Sequence, residues 1–195
     1  MGLSEHVPET ETAIRYITDA RASLFTAQVS SGGLLSAFGH NPTIAIRDFV
    51  GEVEVNLEEI DRSSLKVTIQ AAKLSVLDDI SDKDRQDIER NMREEILETS
   101  SYPEIVYESS SVAANKTGEG RYTVTVNGDL AMHGVTRLQS VSARAVLDGD
   151  TLRAFGNFSV MQTDYDLKLA SVAGGALKVK DEVKFSFNIL ARRKE

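Results

Sequence analysis

The chain contains no cysteine, which removes disulfides, thiol nucleophiles and cysteine-based metal sites together. It has no tryptophan, and aromatic residues make up only 6% of its 195 residues. Basic residues are outnumbered: 22 Lys and Arg stand against 30 Asp and Glu, a formal net charge of −8. Binding to nucleic acid draws most of its affinity from phosphate neutralisation, so this balance argues against a nucleic-acid partner. Anionic membrane surfaces are disfavoured for the same reason. No stretch approaches the roughly 20 apolar residues of a membrane span, so stable membrane insertion is not expected. Residues Met1 to Arg15 carry Glu5, Glu9 and Glu11 and no apolar run. They have neither the basic start nor the apolar middle of a secretory signal, which reads as a cytoplasmic protein, or a periplasmic one if the N-terminus was trimmed.

What is present is an ordinary globular balance, 41% hydrophobic and 27% charged. The length favours one domain. Residues 1–13 read as a flexible arm, and 14–195 as the folded unit. Alternation dominates that unit. Val53, Val55 and Leu57 alternate with Glu52, Glu54 and Asn56, and Leu65, Val67, Ile69 and Ala71 with Lys66, Thr68 and Gln70. Tyr122, Val124 and Val126, then Val183, Phe185, Phe187 and Ile189, repeat the pattern. A period of two with one apolar face marks a half-buried strand.

Weaker strand signals lie at Arg15 to Thr18, Ser23 to Val29, Thr43 to Arg47, Ile105 to Ser109, Val141 to Leu147 and Leu152 to Met161. Turn signals stand at Asn127-Gly128-Asp129, Lys116 to Gly120 and Asp148-Gly149-Asp150, the last a hairpin signal. The apolar phase slips near Ser140 and Val141, as a bulge would produce. One segment differs. Ser81 to Leu97 is charged, and Ile88, Met92 and Ile96 form one helical stripe. Ser81 with Asp84 resembles a capping box. Tyr102-Pro103 stops a helix, because the residue before proline disfavours the α region. The expectation is eight to ten strands and one helix, mainly β, as a sandwich or barrel. Medium-sized apolar faces and a single helix available as a lid favour the barrel without excluding the sandwich.

Catalytic sets are hard to find. His6, His40 and His133 are far apart in sequence, and none has a second histidine at ligand spacing, so no metal is expected. The plain reading of His40 and His133 is that each bonds its own turn. Asp78, Asp79, Asp82, Asp84 and Asp87 cluster at a helix start, interleaved with Lys83, Arg85, Arg90 and Arg93. Such acids complement the helix dipole and stay solvated. No serine lies in a nucleophile elbow, and neither Gly32-Gly33 nor Gly174-Gly175 makes a phosphate loop. No catalytic residue and no cofactor is expected. The remaining possibility is apolar volume, since inward faces of aliphatics and phenylalanine can enclose a cavity or simply fill a core.

The order of motifs is specific. Residues 99–109 read Thr-Ser-Ser-Tyr-Pro-Glu-Ile-Val-Tyr-Glu-Ser and follow the charged helix. Residues 122–136 read Tyr-Thr-Val-Thr-Val-Asn-Gly-Asp-Leu-Ala-Met-His-Gly-Val-Thr. This pairing resembles the YceI family, in which a Tyr-Pro-x-Ile strand start precedes Gly-x-Leu-x-x-His-Gly-Val-Thr. The match falls on Gly128, Leu130, His133, Gly134, Val135 and Thr136, and the resemblance runs from about Arg15 to Arg193. It implies an antiparallel, eight-stranded, lipocalin-like β-barrel with a helix near one end. It also implies binding of a polyisoprenoid or similar long-chain amphiphile inside the barrel, with no catalytic residues.

The chain departs from the family pattern in places. It shows no export signal, has Ile88 where members carry a helix histidine, and has a variant segment at 33–42. The missing tryptophan sets it apart from true lipocalins.

On this basis the expected ligand wall is Phe25, Ile44, Ile46, Val53, Val55, Val67, Ile69, Ile88, Met92, Tyr107, Leu130, Met132, Phe158, Phe185 and Phe187. His40, Asn41 and Arg47 are head-group candidates. The partner would be a long-chain isoprenoid, isoprenoid quinone or fatty-acyl lipid, carried, stored or sensed. A homodimer is left open. Two rivals remain: a filled barrel acting as an interaction or stress-related scaffold, and a small hydrolase or isomerase.

Overall fold

In the computed structural model, residues 13–31, 41–172 and 177–194 are described. The arm at residues 1–12, His6, His40, Gly32-Gly33 and Gly174-Gly175 lie outside them. Ala13, placed in the arm by the sequence reading, is instead the first residue of a strand.

Among the described residues the strands are β1 (Ala13–Thr18), β2 (Leu24–Ser31), β3 (Thr43–Ala45), β4 (Phe49–Asn56), β5 (Ser64–Gln70) and β6 (Ser75–Val76). Helix α1 (Asp82–Asn91) follows and runs into a wider turn of π-helix at Met92–Ile96. Then come β7 (Glu104–Gly118), β8 (Arg121–Met132), β9 (Val135–Asp148), β10 (Thr151–Met161), β11 (Ser171–Val172) and β12 (Leu177–Arg193). Neighbours pair in the order β1-β4-β5-β7-β8-β9-β10-β12, and β12 pairs back onto β1, so eight antiparallel strands close a barrel. Closure removes the exposed sheet edges that an open sheet would carry.

The long strand β12 explains how the chain closes the ring. Its end meets β1, with Tyr16 opposite Arg193, and its middle meets β2, with Phe25 opposite Phe187. Between β1 and β2 the chain takes one turn of 3₁₀-helix at Ala20–Ala22, started by the Asp19 side chain accepting from Ala22 N–H. The far edge of β2 carries the short strands β3 and β6. Among the described residues β2, β3, β6 and β11 add to the eight strands of the ring and bring the total to twelve, above the eight to ten expected.

Helix α1 starts where expected. The Ser81 hydroxyl accepts from Asp84 N–H at 3.1 Å and donates to the Asp84 carboxylate at 2.7 Å. It is tied to the barrel by Arg85, whose guanidinium donates to the carbonyls of Val76 and Asp78, and by Glu89, which accepts from Val76 N–H. The helix ends before Tyr102-Pro103 is reached: Glu98 turns left-handed at φ +46° and its carbonyl accepts from Ser101 and Tyr102 N–H. Among the described residues no helix is long and apolar enough to cross a membrane.

Three turn and bulge expectations need correction or refinement. Asn127-Gly128-Asp129 is not a turn; it lies inside β8. There is no shift in register between β8 and β9 at Ser140 and Val141; these pair continuously with Asn127 and Val126. The irregularity is on β7 instead, between Ser109 and Ser111. The apparent slip in β9 comes from Leu138, which points outward and is 72% exposed. The family motif around His133 is a two-residue hairpin. His133 (φ +52°) and Gly134 (φ +76°) both sit in the left-handed region, as a type I′ turn requires, and join Met132 to Val135. Asp148-Gly149-Asp150 is a hairpin as expected, pairing Asp148 with Thr151.

Candidate ligand-binding cavity

The alternation that makes the strands also fixes what faces inward. On β12, Val183, Phe185, Phe187 and Ile189 line the interior while Lys184, Ser186 and Asn188 lie on the opposite face. The same period on β4, β5, β8 and β10 completes an apolar wall around a cavity of about 810 Å³. That volume is near the upper end of ordinary ligand pockets, roughly 300–1,000 Å³.

The structure brings every apolar wall candidate to this cavity. Phe25, Ile44 and Ile46 come from β2 and from β3 with the residue just past it; Val53, Val55, Val67 and Ile69 from β4 and β5. Tyr107, Leu130, Met132, Phe158, Phe185 and Phe187 come from β7, β8, β10 and β12, and Ile88 and Met92 from the helical segment. Several phenylalanines of the wall meet one another. Phe158 and Phe185 stack at 4.8 Å with their planes 6° apart, and Phe25 meets Phe49 edge-on at 5.7 Å.

The head-group candidates fare differently. His40 lies outside the described residues. Asn41 and Arg47 are exposed, and neither lines the cavity. β3 ends at Ala45, so inward Ile46 and outward Arg47 sit in the link to β4.

Residues the sequence reading missed complete the wall. Phe49 was findable, since it continues the inward phase of Val53 and Val55 back along β4. Ala114, Ala143, Ala145 and Ala154 also line the cavity. Alanine is too small to stand out in an alternating pattern. Charged residues reach the cavity from α1, where Asp87 and Arg90 line it with Asn91, and Thr18, Ser63, Ser64 and Gln162 add uncharged polar groups. Arg90 and Asp87 pair at 2.7 Å.

Deeper polar groups are satisfied by the protein. Thr18 accepts from Gly51 N–H at 2.7 Å, and Gln162 donates to the Lys180 carbonyl at 3.0 Å. The Tyr107 hydroxyl lies 3.1 Å from the carbonyls of both Val126 and Gln139, and its one proton serves both. Burial, with a smaller contribution from the Asp129 charge, pushes Tyr107 up from 10.0 to about 12. Below pH 10 an unfolded tyrosine is neutral too, so no pH dependence arises there. Between 10 and about 12 the unfolded chain loses this proton while the folded chain keeps it, so stability falls as pH rises. Tyr107→Phe is expected to lose about 0.5–1.5 kcal/mol at neutral pH by removing the hydrogen bonding of its hydroxyl. It should also show a shallower decline above pH 10. Urea midpoints measured from pH 8 to 12 check both.

His133 lies on the barrel rim, outside the cavity lining. Its Nδ1 is 3.2 Å from the carbonyl of Tyr165, a residue from a separate segment, so it does not bond its own turn as expected. A carbonyl only accepts, which places the proton of the neutral ring on Nδ1. The ring lies against Tyr102 at 4.6 Å, and Nε2 is 3.6 Å from the Glu98 carboxylate, which also faces Lys168 at 3.5 Å. The motif thus ties the β8–β9 hairpin to the end of the helical segment and to the loop after β10. Among the described residues no group of three or more His, Asp or Glu is placed to hold a metal ion.

The model of the YceI-like domain family matches residues 16–191. The chain belongs to that family. No curated protein matches the chain, but solved structures share its fold. BcnA of Burkholderia cenocepacia superposes with a TM-score of 0.67 at 19% identity, over 89% of this chain and 98% of BcnA. A polyisoprenoid-binding domain from Saccharophagus degradans, implicated in plant cell wall breakdown, gives 0.65 at 15% identity, over 93% of this chain and 99% of that domain. The YceI protein of Campylobacter jejuni gives 0.59 at 14% identity, covering 80% and 88%. The YceI-like fold is therefore kept at identities where few individual side chains are shared.

Proposed function

We propose that this YceI-like protein binds one long-chain apolar or amphiphilic lipid inside its barrel, of the polyisoprenoid, isoprenoid quinone or fatty-acyl type, as a carrier, store or sensor. The observation that carries the reading is the cavity of about 810 Å³ whose wall is predominantly apolar. Its deep polar groups are already tied to the protein's own backbone. Such a wall offers a hydrocarbon chain burial and offers a polar solute nothing. The structural likeness to a domain described as polyisoprenoid-binding supports the same reading.

Each buried methylene contributes about 0.8 kcal/mol, so a few isoprene units give micromolar affinity after ordering costs. A very long chain would nominally exceed the practical ceiling of about 20 kcal/mol, so lost flexibility must offset much of the gain. Asp87, Arg90 and Asn91 line the cavity from α1, which supports an orientation with the ligand's polar end at the helix and the tail in the barrel. No catalytic role is assigned to any side chain. The open volume speaks against the filled-barrel scaffold.

Titration of organic-solvent-stripped, refolded protein with a labelled prenol and a labelled fatty acid tests the reading. Saturable uptake of one molecule per chain at micromolar or lower concentration is the expected result. Absence of uptake for both classes would return the scaffold reading.

A further inference from the structure

The end of the barrel that carries the β9–β10 turn is lined by Leu57, Ile60, Ser63 and Ser64 and also holds one large buried side chain. Tyr16 is the bulkiest wholly buried residue, at 0% exposure. It sits on β1 at the seam where the barrel closes, opposite Val53 on β4 and Arg193 on β12. Its hydroxyl lies 3.5 Å from the Gly149 carbonyl in the β9–β10 turn. Burial pushes that hydroxyl above the usual tyrosine value. Leu152 and Ala191 share its hydrophobic cluster, Val53, Val55 and Leu147 pack against that cluster, and all five line the cavity. The ring therefore belongs to the same packed cluster as these cavity-lining side chains.

The approach to Tyr16 is narrow in side-chain bulk. Ala145 on β9 pairs with Ala154 on β10, and both line the cavity. Phe25, Phe49, Phe158 and Phe185 pack in the same cluster as Met92 and Ile96 of the helical segment. Leu152 and Ala191, which share the Tyr16 cluster, line the cavity beside these alanines.

We infer that Tyr16 is the length-determining residue of the cavity: it backs the floor against which the tail of the bound chain ends. This rests on the lipid-binding reading above and adds a limit to it. Affinity should rise about fourfold for each methylene added until the tail reaches the floor, then stop rising. Removing the ring moves the stop outward. Filling the approach moves it inward.

The test is a set of affinities for saturated fatty acids of increasing even chain length, measured on the full chain with wild type, Tyr16→Phe, Tyr16→Ala and Ala145→Phe. The expected result is a plateau in wild type, the same plateau in Tyr16→Phe, a plateau at longer chains in Tyr16→Ala and at shorter chains in Ala145→Phe. If Tyr16→Ala does not fold, Ala145→Phe decides, and an unmoved plateau there overturns the inference. A wild-type plateau that Tyr16→Ala leaves in place overturns the length limit and leaves lipid binding standing. Affinity that keeps rising with length in wild type shows an open end and overturns it as well. Failure of wild type to bind any chain, with prenols also refused, overturns the lipid-binding reading and the inference together.

Discussion

Phe185→Arg is expected to lose its lipid load while remaining a β protein of reduced stability. Phe185 is on the cavity wall, stacked on Phe158 at 4.8 Å and facing Phe25 at 6.3 Å. The substitution gives up about 1.5–3 kcal/mol of apolar burial and about 0.5–1.5 kcal/mol of ring contact. It also sets a guanidinium in a space whose other walls are hydrocarbon. A hydrated cation there excludes a tail from the same volume, and an unpaired dry charge costs far more. Affinity for a long-chain probe should fall at least about 100-fold, equivalent to about 3 kcal/mol.

Ser186→Arg, one residue along β12, is the control. Ser186 is exposed on the outer face, so stability and lipid load should stay near wild type. Melting curves with extracted lipid per protein measure both. Full load in a normally folded Phe185→Arg would show that the assigned wall does not hold the ligand.

Gly128→Ala is expected to be among the most destabilising single-methyl changes in the chain, about 3 kcal/mol or more, beyond ordinary overpacking. A β-carbon at Gly128 would stand 2.4 Å from the Glu108 carbonyl oxygen, 2.9 Å from its carbon and 2.9 Å from the Ser109 α-carbon. All three are backbone atoms, so no rotamer relieves the clash. The cause is the irregularity of β7 between Ser109 and Ser111, which brings its main chain over the glycine. At an unhindered strand glycine the same change would gain about 0.5–1 kcal/mol. The sign of the shift in urea midpoint therefore tests the packing of β7 on β8 directly.

The residues show why some of this was legible in sequence and some was not. Strand β12 carries bulky apolar residues at every second position against Lys184, Ser186 and Asn188, so its inner face could be read without a partner strand. The same holds for β4, β5 and β8, and through them for most of the cavity wall. Asn127-Gly128-Asp129 has the composition of a turn. Only the neighbouring strand shows that the glycine serves a close approach. Leu138 imitates a change of phase because an exposed leucine and a buried one are the same letter. The alanines that leave room in the barrel give no signal in a hydrophobic pattern, and neither does Tyr16, whose importance comes from the seam that β1 and β12 close. His133 is tied to Tyr165, a contact across 32 residues that no local reading supplies. Arg47 misled because a charge next to the inward Ile46 in sequence lies on the exposed side, away from the cavity.

Native mass spectrometry of the purified protein, before and after organic extraction, tests the central claim most directly. The account predicts a single adduct per chain in the native spectrum, lost on extraction and recovered as one class of long-chain lipid. A protein that carries no adduct, and that binds neither added prenyl nor acyl chains after extraction, would contradict it.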